Sequence, residues 1–469
     1  SAASDVYKRQ LNDKYSENGG QLIVLYGRRR VGKTETLREF CKGKPHVFFS
    51  CTQTTDPVQL RNFSARMLRE DIPAKSYITE FTDWERAFRA VRELPYGDRK
   101  KLLVIDEFPY MCRGNKSIPS ILQNLWDAEL RDANVMIILC GSAMSFIEKE
   151  LLAEKNPLYG RATGIYKMKE MGFYDAAKFF PDYSDRDKVL AYAVLGGIPH
   201  YLRQWNPGLS IDENIKRNIL TKGCILYSEV EFLLHQELRE TPIYNSIIEA
   251  VALGSTKLND ISQKSLVEDT SKTSVYLKNL IALGIVEREF SVDAKTKEQA
   301  NSGRGAYRLT DNFFRFWYRF VPINMSAIDS GRIAKTYPHA VKQYLPDYMG
   351  LIYEKMCQDY LLYYSDSLPI DLSEIGQWWG TDPKKKKQIQ IDIVGTPVEG
   401  KDYIIGSCKY RNEKIGVDEL DLIRDYASVF GKGNNYHYYI FSKGGFTDGL
   451  LQAQERGEVR LITLEDLYK

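Results

Sequence analysis

One stretch of the chain, Gly27-Arg28-Arg29-Arg30-Val31-Gly32-Lys33-Thr34, has the residue types and spacing to hold a triphosphate. Gly27 and Gly32 let the backbone turn tightly enough for its N–H groups to surround phosphate oxygens. Lys33 would reach the β- and γ-phosphates, and the Thr34 hydroxyl would ligate Mg²⁺. Asp106 and Glu107 close the apolar run Lys101-Leu102-Leu103-Val104-Ile105. Asp106 would hold Mg²⁺ through water and Glu107 would polarise the attacking water. Ser142, after the run Val135 to Gly141, sits where a side chain can touch the γ-phosphate or the lytic water, although a serine there can equally cap the next helix. Arg161, in Pro157-Leu158-Tyr159-Gly160-Arg161, could act as an arginine finger, in cis or across the interface of a homo-oligomer. The bland alternatives are a Gly-Lys-Thr on a surface turn, an acidic turn after a core strand, and a surface arginine. The combined chemistry is binding of ATP with Mg²⁺ and hydrolysis of ATP.

A second set lies near the C-terminus. Glu354 is expected on a helix, Asp392 on a strand and Lys409 on the strand paired with it. This resembles the PD-(D/E)XK nuclease layout, in which carboxylates bind Mg²⁺ and the lysine orients the nucleophilic water. Ser407 stands two residues before Lys409, where that pattern wants Asp or Glu. The loss removes a hard oxygen ligand and a charge, so the site reads as vestigial, with little or no DNA cleavage expected.

The elements that must position these residues follow from the pattern. Gln21 to Tyr26 reads as a strand running into the glycine loop, and Thr34 to Cys41 as the helix after it, with Leu37 and Phe40 facing inward. His46 to Cys51, Lys101 to Glu107 and Val135 to Ser142 are further buried strands, with helical stretches at 57–94 and roughly 118–131 between them; Asp83 is the expected cap of the helix from Trp84 to Leu94. Strands alternating with helices imply a parallel sheet with nucleotide at the strands' C-terminal ends. Residues 171–240 read as a helical lid broken at Gly196-Gly197-Ile198-Pro199.

Residues 241–322 change character. Helices at 243–253, 258–264 and 270–283, the last stopped by Gly284, precede a hairpin of Ile285 to Phe290 and Tyr307 to Leu309 around a loop rich in Lys, Ser and Gly. That is a winged helix-turn-helix layout. Its third helix offers Lys272 and Lys278 but few other groups suited to base edges, so DNA or a protein partner could meet it. The aromatic run Phe313 to Phe320 is expected to pack into a core. Residues 323–345 form a connector, and 346–469 a separate unit with helix 348–362 and strands 388–394 and 403–410. The run Lys384 to Lys387 reads as a solvated loop or a phosphate contact.

At 469 residues the chain needs more than one core. With 43% hydrophobic and 27% charged residues and a net charge of +3, it has ordinary globular composition and no global demand for a nucleic-acid partner. There is no membrane-spanning run and no signal-peptide pattern. The seven cysteines are scattered without C-x-x-C, which suggests neither zinc nor disulfides and, with an ATP site, a cytoplasmic location. Residues 1–10 read as an in-frame translation of a sequencing-library adaptor, with the natural sequence starting near Leu11.

Taken in order, the glycine loop, Asp106-Glu107, Gly141-Ser142, Leu158-Tyr159-Gly160-Arg161, Gly196-Gly197-Ile198-Pro199 and this tail resemble the archaeal-type P-loop ATPases, relatives of the AAA+ and STAND proteins. The resemblance implies an α/β fold: a P-loop NTPase sheet (11–170), a lid, a winged helix and a restriction-endonuclease-like C-terminal domain of unknown function. It strengthens the roles given to Ser142 and Arg161. Family members usually begin with a Gly-Arg-Glu box near the adenine, which this sequence does not show. Family tails usually carry Gly-Glu-Cys-Lys, against Gly406-Ser407-Cys408-Lys409 here. Two functions follow. In one, ATP hydrolysis controls a DNA-binding winged helix and a weakened nuclease-like domain. In the other, a non-catalytic ATP-dependent switch recruits a protein partner.

Overall fold

The computed structural model describes residues 2–292 and 305–469. The loop rich in Lys, Ser and Gly, at 293–304, lies outside the described residues, as does residue 1. The chain divides into two compact units, one comprising residues up to Glu170 with 198–200 and 282–284, the other the remainder.

The first unit is built on five parallel strands: β1 (Gln21–Tyr26), β2 (His46–Ser50), β3 (Lys101–Asp106), β4 (Val135–Gly141) and β5 (Gly164–Lys167), in the order β2-β3-β4-β1-β5. Successive side chains of a strand point to opposite faces, and both faces are covered. Ile23 and Leu25 pack with Leu11, Leu37 and Phe40 on one side. Leu22 and Val24 pack with Phe63, Trp84 and Phe88 on the other. This two-sided burial is why β3 and β4 read as unbroken apolar runs.

Helices α1 (Ala2–Ser16), α2 (Lys33–Cys41), α3 (Asp56–Met67), α4 (Trp84–Arg89), α5 (Phe108–Gly114) and α6 (Ile118–Leu125) flank the sheet. α1 runs without a break through the residues read as an adaptor, and the Tyr7 hydroxyl donates to the Lys167 carbonyl at 3.0 Å. The expected cap of α4 is present: Asp83 accepts from the Arg86 N–H at 2.8 Å. The strand β5 was not foreseen. It is short and alternates half-buried and exposed positions because it is the edge of the sheet.

The second unit joins what the sequence suggested as separate pieces. Helices α7 (Asp185–Leu195), α8 (Ile211–Asn218) and α9 (Ile225–Glu237) precede α10 (Thr241–Ala252), α11 (Leu258–Lys264) and α12 (Thr270–Ala282). An antiparallel hairpin follows, β6 (Val286–Glu289) with β7 (Ala306–Leu309). The aromatic helix α13 (Asn312–Phe320) is capped by Asp311 and buries Phe313, Phe314, Phe316, Trp317, Tyr318 and Phe320, so its rings are core. It packs against α7 and α10, and its polar tips find partners: Trp317 Nε1 donates to the Tyr227 carbonyl at 2.9 Å and the Tyr318 hydroxyl to Asn245 at 2.8 Å.

The C-terminal sheet is mixed. Strands β8 (Leu372–Asp382), β9 (Lys387–Pro397), β10 (Asp402–Lys409), β11 (Asn435–Ser442) and β12 (Arg460–Thr463) lie in the order β12-β11-β10-β9-β8. β8-β9-β10 pair antiparallel and β10-β11-β12 parallel. Helices α14 (Leu345–Asp359), α15 (Val417–Phe430) and α16 (Asp448–Glu455) complete the region. The sheet also receives the end of the hairpin: the Val292 N–H donates to the Gln377 carbonyl at 3.1 Å, and Val292 is part of the core under β8 and β9.

Candidate functional site

Because β1, β3 and β4 are parallel neighbours, their C-terminal ends lie along one edge of the sheet. They deliver Gly27, Glu107 and Ser142 there. Gly27 is required by close approach: a Cβ on it would lie 2.4 Å from the Met168 carbonyl oxygen. Gly32 is required by conformation, with φ of 101° just before α2 begins. Lys33, the first residue of α2, is buried, and that burial lowers its pKa. Its ammonium donates to the Arg28 carbonyl at 2.8 Å, within the loop itself.

Thr34 and Asp106 meet directly. The threonine hydroxyl donates to Asp106 Oδ2 at 2.8 Å, while Oδ1 accepts from the Glu107 N–H at 2.9 Å. Two hard oxygen donors side by side fit Mg²⁺, an ion that takes one or two protein ligands and completes its shell with phosphate oxygens and water. Among the described residues no group of three or more His, Cys, Asp or Glu could hold a metal by itself. Glu107 caps α5 in the left-handed region, φ 54°, a conformation that a non-glycine residue adopts at a cost. Ser142 Oγ stands 3.5 Å from Glu107 Oε2, joining the two at the sheet edge.

Arg161 is not brought there. Its guanidinium pairs with Asp127 at 3.0 Å. Two residues on, Thr163 donates its N–H to the Leu22 carbonyl at 2.7 Å, beside the start of β1. The strand runs away from that point toward Gly27, so Arg161 sits at the opposite end of the sheet from the phosphate loop. Contacts missed in the sequence lie at the site as well. Arg29 Nη2 donates to the Tyr110 hydroxyl at 3.2 Å. Cys140, fully buried on β4, lies close enough to Lys33 and Asp106 for their charges to act on its thiol, which burial pushes well up. Neither Tyr110 nor Cys140 belongs to a spacing pattern that would have singled it out.

In the C-terminal sheet Asp392 Oδ2 accepts from the Cys408 N–H at 3.0 Å, and Gln358 donates to the Asp392 carbonyl at 2.9 Å. Glu354 lies near enough to Asp392 for the two charges to repel. Gln377 donates to Glu354, and Arg308 of the hairpin donates to Gln377 at 3.3 Å. Ser407 and Lys409 both meet a carboxylate the sequence reading passed over, Glu419 on α15, at 2.6 Å and 3.6 Å. In sequence Glu419 is only an acidic residue in a first helical turn, where the helix dipole already accounts for it.

Comparison with known proteins fits this architecture. Residues 9–205 match the family described as an ATPase domain predominantly from Archaea, and residues 317–420 the family described as archaeal and bacterial proteins of unknown function. The chain thus joins an archaeal-type P-loop ATPase domain to a C-terminal domain of the second family. It is 28% identical over 470 residues to an uncharacterized protein of Methanocaldococcus jannaschii, covering 98% of both chains. A shorter match, 53% identical over 34 residues, covers 7% of this chain and 58% of an uncharacterized ATP-binding protein of the same organism. Among solved structures, the Walker-type ATPase PABY2304 of Pyrococcus abyssi shares the fold with a TM-score of 0.50 at 20% identity, over 67% of this chain and 95% of that one. No helix among the described residues is long and apolar enough to cross a membrane.

Proposed function

We propose that this P-loop ATPase uses the state of its nucleotide to control a winged helix and a nuclease-like tail that move together. The observation that supports hydrolysis as well as binding is the cluster at the sheet edge: Thr34 on Asp106 at 2.8 Å, with Glu107 held in a left-handed turn beside Ser142. In this reading Lys33 and the loop N–H groups hold the phosphates, Thr34 and Asp106 hold Mg²⁺, Glu107 takes a proton from water, and Ser142 orients Glu107.

Coupling of the winged helix to the tail rests on the hairpin. Val292 donates to Gln377, the Trp379 N–H donates to the Ser291 hydroxyl at 3.2 Å, and Arg308 reaches Glu354 through Gln377. α12 exposes Ser271, Lys272, Lys278 and Asn279, a set that can meet phosphates and base edges. Outside residues 346–469 the chain carries 50 basic against 42 acidic side chains, and within them 15 against 20, so duplex DNA would be drawn to the part before the tail. The test is ATP turnover with and without duplex DNA at low and moderate salt. Stimulation that Lys272→Ala with Lys278→Ala removes supports the reading; turnover indifferent to DNA at every salt concentration counts against it.

A protein partner is the second reading, favoured by one observation. Leu266, in the turn between α11 and α12 at φ 60° and 87% exposed, and Val275 on α12, 57% exposed, present apolar groups to solvent. DNA-indifferent turnover together with loss of partner capture on Leu266→Ser would select it.

A further inference from the structure

Phosphoryl transfer from ATP needs positive charge beside the γ-phosphate as the bond to the β-phosphate breaks. The arginine that sequence order suggested, Arg161, is at the wrong end of β1 to serve its own site. The phosphate loop itself carries another. Arg29 lies between the two glycines, and its guanidinium is tied to the Tyr110 hydroxyl at 3.2 Å. Tyr110 is on α5, whose N-cap is Glu107, and the Tyr110 N–H donates to the Glu107 carbonyl at 3.0 Å. The tyrosine is further fixed by Arg113, whose guanidinium stacks 5.6 Å from its ring centre. Arg29 is therefore tied to the helix that begins at Glu107, and its charge is also felt by Lys33. If Glu107 activates water, the γ-phosphate lies between that water and Lys33, in the space these groups border.

We propose that Arg29 is the arginine that stabilises the γ-phosphate of ATP during hydrolysis, acting in cis, with Tyr110 as its positioning residue. The inference rests on the ATPase reading above. In the step, the water oxygen bonds to the γ-phosphorus while the bond from phosphorus to the β–γ bridging oxygen breaks. The bridging oxygen keeps the electron pair and leaves with ADP, the water proton passes to the Glu107 carboxylate, and inorganic phosphate is the other product. Arg29 donates to γ-phosphate oxygens throughout. A guanidinium can bond phosphate with one edge and the Tyr110 hydroxyl with the other, which an ammonium cannot do.

The experiment uses the full chain and reads kcat for ATP together with affinities for MgATP and MgADP. Arg29→Ala is expected to lower kcat by roughly 100-fold or more. It should weaken MgATP while leaving MgADP within about twofold, because only the γ-phosphate loses a partner. Arg29→Lys should restore only a small part of the rate. Tyr110→Phe should lower kcat by roughly fivefold, the worth of one hydrogen bond, again with MgADP unchanged. Wild-type kcat in Arg29→Ala overturns the proposal, and so does an equal loss of MgATP and MgADP affinity, which would put Arg29 on the α- or β-phosphate. If Arg29→Ala fails to melt as a folded protein, Arg29→Lys and Tyr110→Phe decide, and unchanged kcat in both overturns it. Lys33→Ala separates this failure from the larger one. Hydrolysis that survives Lys33→Ala sinks the ATPase reading, whereas hydrolysis lost in Lys33→Ala and intact in Arg29→Ala sinks only the role of Arg29.

Discussion

Glu419 Oε1 accepts the Ser407 hydroxyl at 2.6 Å and lies 3.6 Å from the Lys409 ammonium. A helix thus supplies a carboxylate next to the strand position that lacks one. It does not follow that a metal site is rebuilt. Both of the contacts just named satisfy Glu419 within the protein, and Glu354 accepts from Gln377.

The expected result is little or no cleavage of plasmid DNA by the wild-type chain with Mg²⁺. Ser407→Glu is the informative partner, since it restores the missing ligand type but also sets a second carboxylate against Glu419. Robust metal-dependent cutting by wild type, lost in both Asp392→Ala and Glu419→Gln, would show instead that Glu419 completes the site.

At the nucleotide site, Lys33→Ala should abolish ATP binding, because the ammonium contacts phosphate in the ground state. Glu107→Gln should retain binding and lose roughly 100-fold or more in kcat, because a general base acts on water in the transition state. Fluorescent-nucleotide titration and phosphate release measure the two separately. Wild-type turnover in Glu107→Gln would remove the base assignment.

Arg161 remains testable as a residue acting in trans. Its bond to Asp127 gives Arg161→Ala a structural role at the far end of β1, so purified Arg161→Ala should hydrolyse ATP within about threefold of wild type, as expected of a group outside its own site. A large loss of kcat, recovered by mixing Arg161→Ala with Lys33→Ala protein, would instead establish a finger offered to a neighbouring subunit.

What the sequence made legible was set by how local each signal is. The glycine loop and Asp106-Glu107 are contiguous and flanked by strand and helix, so pattern and position agree. The edge strand β5, half-exposed and four residues long, leaves no apolar run to read. Arg161 was misplaced because order along the chain says nothing about which end of β1 a following segment reaches. Tyr110 and Glu419 act through contacts between elements, Arg29 to α5 and Ser407 to α15, and no spacing rule covers such pairs. The packing of the hairpin onto the C-terminal sheet was hidden for the same reason: Val292 and Gln377 are 85 positions apart and carry no mark of their bond.

Glu354 gives a prediction with a defined pH window. Burial, and then repulsion from Asp392, raise its pKa to about 8, against the opposing effect of the Gln377 hydrogen bond. In the unfolded chain the same carboxyl titrates near ~4.3. Between those values the folded protein keeps a proton that the unfolded chain has released. Stability therefore falls as pH rises through the window and levels off above about 8. Glu354→Gln removes the titration while its amide oxygen still accepts from Gln377. The melting temperature of Glu354→Gln minus that of wild type should thus be near zero at low pH and become increasingly positive toward the upper end of the window. Asp392→Asn, which removes the repelling charge but not the burial, should narrow the window without closing it. A difference that stays flat from the carboxylate range up to pH 8 would mean that Glu354 ionises normally in the fold, and that the patch between α14 and β9 is open to water.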